Sequence, residues 1–175
     1  RKHNLPIQPT SLVGRTDECV TLEGSILDES ESLITFTGPG GVGKTRLALQ
    51  IGADIIEHFE DGVFFIDLSA VFDRQSAIKQ LTDLFDIRES AEKPLLEELT
   101  DFLRKKKAVL IFDNLEQIPD VASIPAHLLK YCGSLVMIAT SREPLHLRGE
   151  RVFVVAPLPV PSGDDTTSHE LSAIS

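Results

Sequence analysis

Leu33-Ile34-Thr35-Phe36-Thr37-Gly38-Pro39-Gly40-Gly41-Val42-Gly43-Lys44-Thr45 is the stretch on which the fold turns. An apolar, β-branched run enters a glycine-rich turn, and the chain leaves through Lys44-Thr45-Arg46-Leu47-Ala48, a pattern that starts a helix. Positions 38–45 match G-x-x-x-x-G-K-[ST] in the strand-then-helix context that gives this pattern its meaning. Glycine adopts left-handed turns that aim successive N–H groups inward, and it puts no Cβ between backbone and phosphate. The helix opening at Gly43-Lys44 adds unpaired N–H groups and a positive dipole end. Gly38, Pro39, Gly40, Gly41, Val42, Gly43, Lys44, Thr45 and the following Arg46 are therefore the candidate phosphate contacts. Within that set Lys44 supplies a cation to the β- and γ-phosphates and Thr45 a hydroxyl to Mg²⁺. The stretch predicts a bound nucleoside triphosphate.

Composition bounds the rest. The 175 residues suit one α/β domain with a sizeable core, and 42% hydrophobic content opposes general disorder. A formal charge of −10 opposes a duplex-binding surface, which needs clustered Lys and Arg. The one basic run, Arg104-Lys105-Lys106-Lys107, closes a predicted helix, where cations favour the dipole. Cys19 and Cys132 have no metal-ligand spacing and read as buried free thiols. No apolar run approaches the roughly 18 residues of a membrane span, and no signal peptide opens the chain. The chain begins at Arg1 and stops within Leu171-Ser172-Ala173-Ile174-Ser175, and it reads as a piece of a longer cytoplasmic protein.

Apolar runs alternating with helical periodicity predict an α/β, three-layer P-loop NTPase fold with a mostly parallel five-stranded sheet. Strands are expected over 33–37, 63–68, 108–113, 135–140 and 151–155. Helices are expected over 44–58, 75–85 and 95–105, and within 119–131. The expected domain plan is 1–32 as an N-terminal segment, 33–160 as the NTPase core and 161–175 as a linker or tail. Residues 157–175, with three prolines, Asp164-Asp165 and many Ser and Thr, carry the linker signal.

Two further positions carry chemistry. Val109 to Phe112 drive a buried strand that ends in Asp113-Asn114, which places a carboxylate at the C-terminal edge of the sheet, where ligands bind in open α/β folds. From there Asp113 can hold Mg²⁺ beside Thr45, although acidic residues also end strands simply by starting turns. The next strand closes with Thr140-Ser141-Arg142. If the first, third and fourth strands are neighbours, Arg142 reaches a γ-phosphate and distinguishes triphosphate from diphosphate; the alternative is a surface pair with Glu143 or Glu116.

Four segments in order carry a resemblance: Leu12-Val13-Gly14-Arg15, the glycine loop, Ile111-Phe112-Asp113-Asn114-Leu115-Glu116 and Thr140-Ser141-Arg142-Glu143-Pro144-Leu145. Together they resemble the STAND class of P-loop ATPases, above all the NB-ARC-like nucleotide-binding module of large bacterial transcriptional regulators. The match covers about residues 4–159. The resemblance implies that Val13 and Gly14 lie against the adenine of ATP or ADP, with Arg15 beside the nucleotide. Relatives often follow the metal aspartate with a second acid that polarises water. Asn114 stands there instead and cannot take a proton, and Glu116 is the nearest carboxylate. The family also follows this core with a helical lid carrying a Gly-hydrophobic-Pro-Leu motif, then a winged helix, and no such motif occurs before Ser175.

What the resemblance implies is an ATP/ADP-binding switch module with slow, Mg²⁺-dependent ATPase capacity, from a multidomain signal-transducing regulator. Its expected partners are nucleotide, the lid, winged-helix and output domains of the same polypeptide, and other copies of the full-length protein. Direct nucleic-acid contact and membrane contact are not expected of this segment. Lys44, Asp113, Arg142 and Glu116 are the candidate catalytic residues, and Thr45 with Asp113 the candidate metal ligands. A small-molecule kinase and a scaffold that holds ADP without cycling are the alternatives; the kinase would need an acceptor pocket and an Arg-rich lid, with no candidate between Arg46 and Lys107.

Overall fold

Strand β1 (Leu33–Thr37) is buried at every position, as are β3 (Val109–Asp113) and β4 (Val136–Ser141). That is the signature of central strands covered on both faces, and it accounts for their lack of polar alternation. The structure, a computed structural model, describes residues 2–7 and 16–157. With β2 (Val63–Asp67) and β5 (Glu150–Val154) the strands form one sheet in the order β2-β3-β4-β1-β5, and every pair is parallel. β4 thus lies between β1 and β3, with Ile34 opposite Ile138 and Ile111 opposite Ile138 in register.

Helices cover both faces. On one, α1 (Thr16–Leu27) and α2 (Lys44–Ile55) bring Leu22, Ile26, Leu47 and Ile51 onto Ile34, Phe36, Ile111 and Ile138. On the other, α3 (Arg74–Leu84), α4 (Leu95–Leu103) and α5 (Ser123–Tyr131) bring Ile78, Leu81, Leu99 and Leu128 onto Leu110, Phe112 and Met137. The predicted strands and helices are present with ends displaced by a few residues. The helix expected to reach residue 58 stops at Ile55 and continues as a 3₁₀ turn, and the fifth strand starts at Glu150. The helix expected to end in the basic run closes at Leu103, ahead of Arg104 to Lys107. Sequence periodicity did not mark α1, whose apolar residues are diluted by Thr, Glu, Gly and Ser; its helicity comes from docking on α2. Cys19 and Cys132 are buried and not disulfide-bonded, and burial pushes the Cys132 thiol up.

The two sheet edges are treated differently. Beside β2, His3 pairs with Val63, and the Asn4 amide donates to the Phe65 carbonyl at 2.8 Å while accepting its N–H at 2.6 Å. An asparagine side chain thereby stands in for the backbone of a neighbouring strand. At the other end, β4 connects to β5 without a helix. The Glu150 carboxylate holds that connection: it accepts the Leu145 and His146 N–H groups at 2.8 and 3.0 Å and the Thr35 hydroxyl at 2.6 Å.

Helix α2 lies close on the sheet because residue 52 has no side chain: a Cβ on Gly52 would come within 2.7 Å of the Ile111 Cδ1. Across the α1–α2 contact, Glu23 meets Asp54. Burial, a hydrogen bond to Asp54 and its negative charge push the Glu23 carboxyl from 4.5 up to about 7. A folded-state value above the unfolded one means the native state holds the extra proton. The Glu23 contribution is therefore complete below pH 4.5 and lost as pH rises through about 7. Glu23→Gln is expected to flatten stability between pH 5 and pH 8, a span over which the wild type should lose about 1–2 kcal/mol after solvent screening. Urea unfolding of both proteins across that range is the check, and parallel curves would place the proton elsewhere.

Candidate functional site

Thr37 ends β1, and residues 38–43 form the loop on which the candidate site is built. A Cβ on Gly38 would lie 2.8 Å from the Val155 carbonyl, so the loop leaves the strand through a gap that only glycine passes. Gly41 and Gly43 adopt φ of 82° and 94°, and a Cβ on either would meet nothing within 4 Å. The hollow of the loop is open, as a phosphate cradle requires. Helix α2 then begins with Gly43 at its N-cap and no side-chain cap. Helix α3 is capped by the Asp73 carboxylate accepting the Ser76 N–H, whereas α4 and α5, like α2, have no side-chain cap. What sets the start of α2 apart is the glycine loop that leads into it.

Lys44 and Thr45, the first residues of α2, turn back under the loop. Lys44 is 9% exposed and donates to two carbonyls, that of Gly38 and, at 3.4 Å, that of Ser141. Its ammonium is thus stationed where the loop meets the end of β4. Arg46 follows, half-buried in the first turn of α2.

Asp113, the last residue of β3, is 5% exposed. One carboxylate oxygen, Oδ1, accepts the Thr45 hydroxyl at 2.7 Å and the Thr140 hydroxyl at 2.6 Å. The other, Oδ2, accepts the Asn114 side-chain amide at 3.0 Å. Asn114 is left-handed, with φ 64° and ψ 50°, a conformation asparagine tolerates better than other side-chain-bearing residues. A carboxylate beside a hydroxyl is the hard-oxygen set that Mg²⁺ takes when phosphate and water complete its shell. The donors present fit that ion, and among the described residues no group of three or more His, Cys, Asp or Glu side chains offers another metal site.

Arg142 stands one residue beyond β4 with its side chain 69% exposed. Its guanidinium lies 3.9 Å from where a Cβ on Gly40 would be, over the loop. Its Nε also lies 3.9 Å from Glu116 Oε1, on the 3₁₀ turn Leu115–Gln117 that follows Asp113. Arg142 is thus paired with Glu116, the surface pair that was the alternative reading, and its guanidinium stands over the loop. These two residues, with Gln117, Ser141, Glu143 and Pro144, line a cavity of about 530 Å³ at this edge. A cavity of about 540 Å³ opens at the opposite ends of the strands, among Ile26, Phe59, Lys107 and Leu135, far from this chemistry. Loop geometry, not cavity size, marks the site. Val13, Gly14 and Arg15 lie outside the described residues. Thr140 had no role in the sequence reading; its place two residues before Arg142 was the available signal.

An all-parallel sheet bearing this loop after β1 and an aspartate at the end of β3 defines a P-loop ATPase fold. A profile of the NB-ARC domain matches residues 16–144. The chain belongs to the NB-ARC family, the nucleotide-binding module within the STAND class of P-loop ATPases. An uncharacterized protein of Mycobacterium tuberculosis is 33% identical over 158 residues, 90% of this chain and 40% of that protein. A putative HTH-type transcriptional regulator of the same organism is 32% identical over 119 residues, 67% of this chain and 13% of that protein. The chain thus spans well under half the length of these relatives. A Pyrococcus horikoshii protein described as a Signal Transduction ATPase with Numerous Domains, with a tetratricopeptide repeat sensor, shares the fold. It superposes with a TM-score of 0.58 at 16% identity, covering 98% of this chain and 27% of that one.

Lys44→Ala is expected to weaken ATP binding at least tenfold, the loss of one charge-assisted contact or more. The far-UV circular dichroism melt should stay in place, because the ammonium bonds loop and strand-end carbonyls and packs no core. Titration calorimetry measures the affinity, and an undiminished value would remove the loop from the site.

Proposed function

We propose that this chain is an ATP/ADP-binding switch module with slow ATPase capacity, part of a longer multidomain regulator. The observation that carries the reading is the Thr45–Asp113 bond at 2.7 Å, which joins the first turn of α2 to the end of β3 beneath an open glycine loop. In this reading residues 38–45 cradle the phosphates through backbone N–H groups, and Lys44 exchanges its carbonyl partners for phosphate oxygens. Thr45 and Asp113 hold Mg²⁺, which when bound neutralises phosphate charge. Arg142 reads the γ-phosphate, and Val13, Gly14 and Arg15 flank the base and sugar.

Turnover in this reading is slow for reasons that lie in the chain. Hydrolysis joins a water oxygen to the γ-phosphorus and breaks the bond from that phosphorus to the bridging oxygen, whose electron pair leaves with ADP, and the proton of that water needs an acceptor. Asn114 has no basic oxygen of that kind, and its amide is committed to Asp113. Glu116, on the turn after Asp113, is paired with the Arg142 guanidinium at 3.9 Å, so its carboxylate is engaged. Slow chemistry suits a switch, which works by different affinities of ATP and ADP for two conformations. The domain plan of 1–32, 33–160 and 161–175 belongs to the same proposal, as do a lid domain, a winged helix, an output domain and self-association of the whole protein. The similarity to a putative HTH-type transcriptional regulator supports a transcriptional output. A formal charge of −10 speaks against direct nucleic-acid contact by this segment. A cytoplasmic location goes with that role, and no helix among the described residues is long and apolar enough to cross a membrane.

Two measurements test this. Asp113→Asn should weaken ATP binding much more with Mg²⁺ than in EDTA, because it removes the charge offered to the ion and keeps the shape; equal losses would make Asp113 structural. Steady-state phosphate release should run well below the roughly 1 s⁻¹ of an ordinary enzyme. Asn114→Asp should change the rate little in this chain, because the open loop leaves the γ-phosphate in water and that limits the rate as well, and Glu116→Gln should leave the residual activity largely intact. Turnover of several per second would make the protein an enzyme in its own right, and loss of that activity in Glu116→Gln would make Glu116 its base.

A further inference from the structure

Thr140 sits where the phosphate loop and the metal carboxylate meet. β4 runs between β1 and β3, so the end of β4 forms the floor between the loop after β1 and the aspartate that ends β3. Backbone pairing of β3 with β4 stops at Phe112 and Ala139. One residue on, the Thr140 side chain replaces the ladder. It is 1% exposed, donates to Asp113 Oδ1 at 2.6 Å and accepts the Asn114 N–H at 3.0 Å. The direction of these bonds is fixed by chemistry. A backbone N–H can only donate, so the hydroxyl accepts from Asn114 and its single proton goes to the carboxylate.

The consequence falls on Asp113. Oδ1 takes two hydroxyl protons, from Thr45 and Thr140, while Oδ2 takes the Asn114 amide alone. A carboxylate with one crowded and one less committed oxygen is held against rotation about its Cβ–Cγ bond. A hydroxyl at a fully buried strand position costs desolvation unless it is bonded, and valine has the same shape without that cost. Packing alone therefore does not ask for threonine at 140.

We propose that Thr140 is a positioning residue: its buried hydroxyl sets which oxygen of Asp113 faces the Mg²⁺ shell of a bound nucleotide. It touches neither phosphate nor metal and acts through Asp113. The proposal rests on the nucleotide-switch reading and adds to it a residue that governs the metal dependence of binding.

The readout is the ratio of ADP affinities with Mg²⁺ and with EDTA, measured by calorimetry on the 175-residue chain. Thr140→Val is expected to lower that ratio about tenfold, with EDTA affinity within about twofold of wild type, the size of one lost bond to a charged group. Thr140→Ser, which keeps the hydroxyl, should restore it. In an Asp113→Asn background Thr140→Val should lower the ratio no further, because the residue acts through that carboxylate. A wild-type ratio in folded Thr140→Val overturns the proposal, as does an equal loss with and without Mg²⁺, which would make the hydroxyl a general support. Should Thr140→Val fail to fold, Thr140→Ala against Thr140→Ser reads the same ratio, and a wild-type value in Thr140→Ala overturns it equally. Lys44→Ala is the control for the underlying reading. Equal ADP affinity in Lys44→Ala and wild type overturns the nucleotide reading and this proposal together. A Lys44-dependent site with an unchanged ratio in Thr140→Val overturns this proposal alone.

Discussion

The carboxylate of Asp113 is the point at which three otherwise separate parts of the chain are joined. It receives the hydroxyl of Thr45 from the start of α2, the hydroxyl of Thr140 from β4 and the side-chain amide of Asn114 from its own turn. A carboxylate at 5% exposure would be costly without such donors, and with them it ties the glycine loop to the strand two places away. The placement of Lys44 follows. Its ammonium bonds the Gly38 and Ser141 carbonyls at the same junction, so a cation and an anion, both buried, stand on the two sides of the loop without pairing in those bonds. A site arranged in this way suits a ligand that carries phosphate to the cation and a divalent metal to the anion.

The order of the strands makes this junction possible. With β4 between β1 and β3, the loop after β1 and the aspartate after β3 reach over a common floor. Arg142 leaves that floor one residue past Ser141, and the connection that follows is pinned by Glu150 to Thr35 on β1 and to the Leu145 and His146 amides. The sheet supports this from below through apolar contacts on both faces. The cavity at the opposite ends of the strands is of nearly the same size and also has charged residues in its lining, among them Glu29, Glu31 and Lys107, but it lies away from the glycine loop and Asp113. The loop and its junction with Asp113, not volume, distinguish the two ends of the molecule.

The loop, the strands and most helices were legible in the sequence for local reasons. Glycines at 38, 41 and 43 meet conformational demands that operate over a few residues, and the runs at 33–37 and 109–112 are too apolar to face water on either side. Helix α1 was not legible, because Leu22 and Ile26 are buried against α2 and the sheet while Val20 and Leu27 stay exposed. With two of its five apolar residues outside, the pattern has a blurred face. Thr140 escaped notice for a similar reason: in a buried strand a threonine reads as one more β-branched residue until a carboxylate is seen beside it.

Sequence alone determined that residues 38–45 form a phosphate loop between strand and helix, that the sheet is buried on both faces, and that a carboxylate ends the third strand. Each of these depends on neighbours within a few positions, where propensity and spacing carry the information. Tertiary structure decided the rest. The β2-β3-β4-β1-β5 order, the Thr140 and Thr45 bonds to one oxygen of Asp113, the Arg142–Glu116 pair and the Glu23–Asp54 contact join residues from 26 to 68 positions apart, or set strands side by side. No local preference specifies such pairs. They exist because burying two apolar faces leaves one arrangement of strands in which the polar groups at the sheet edge also find partners.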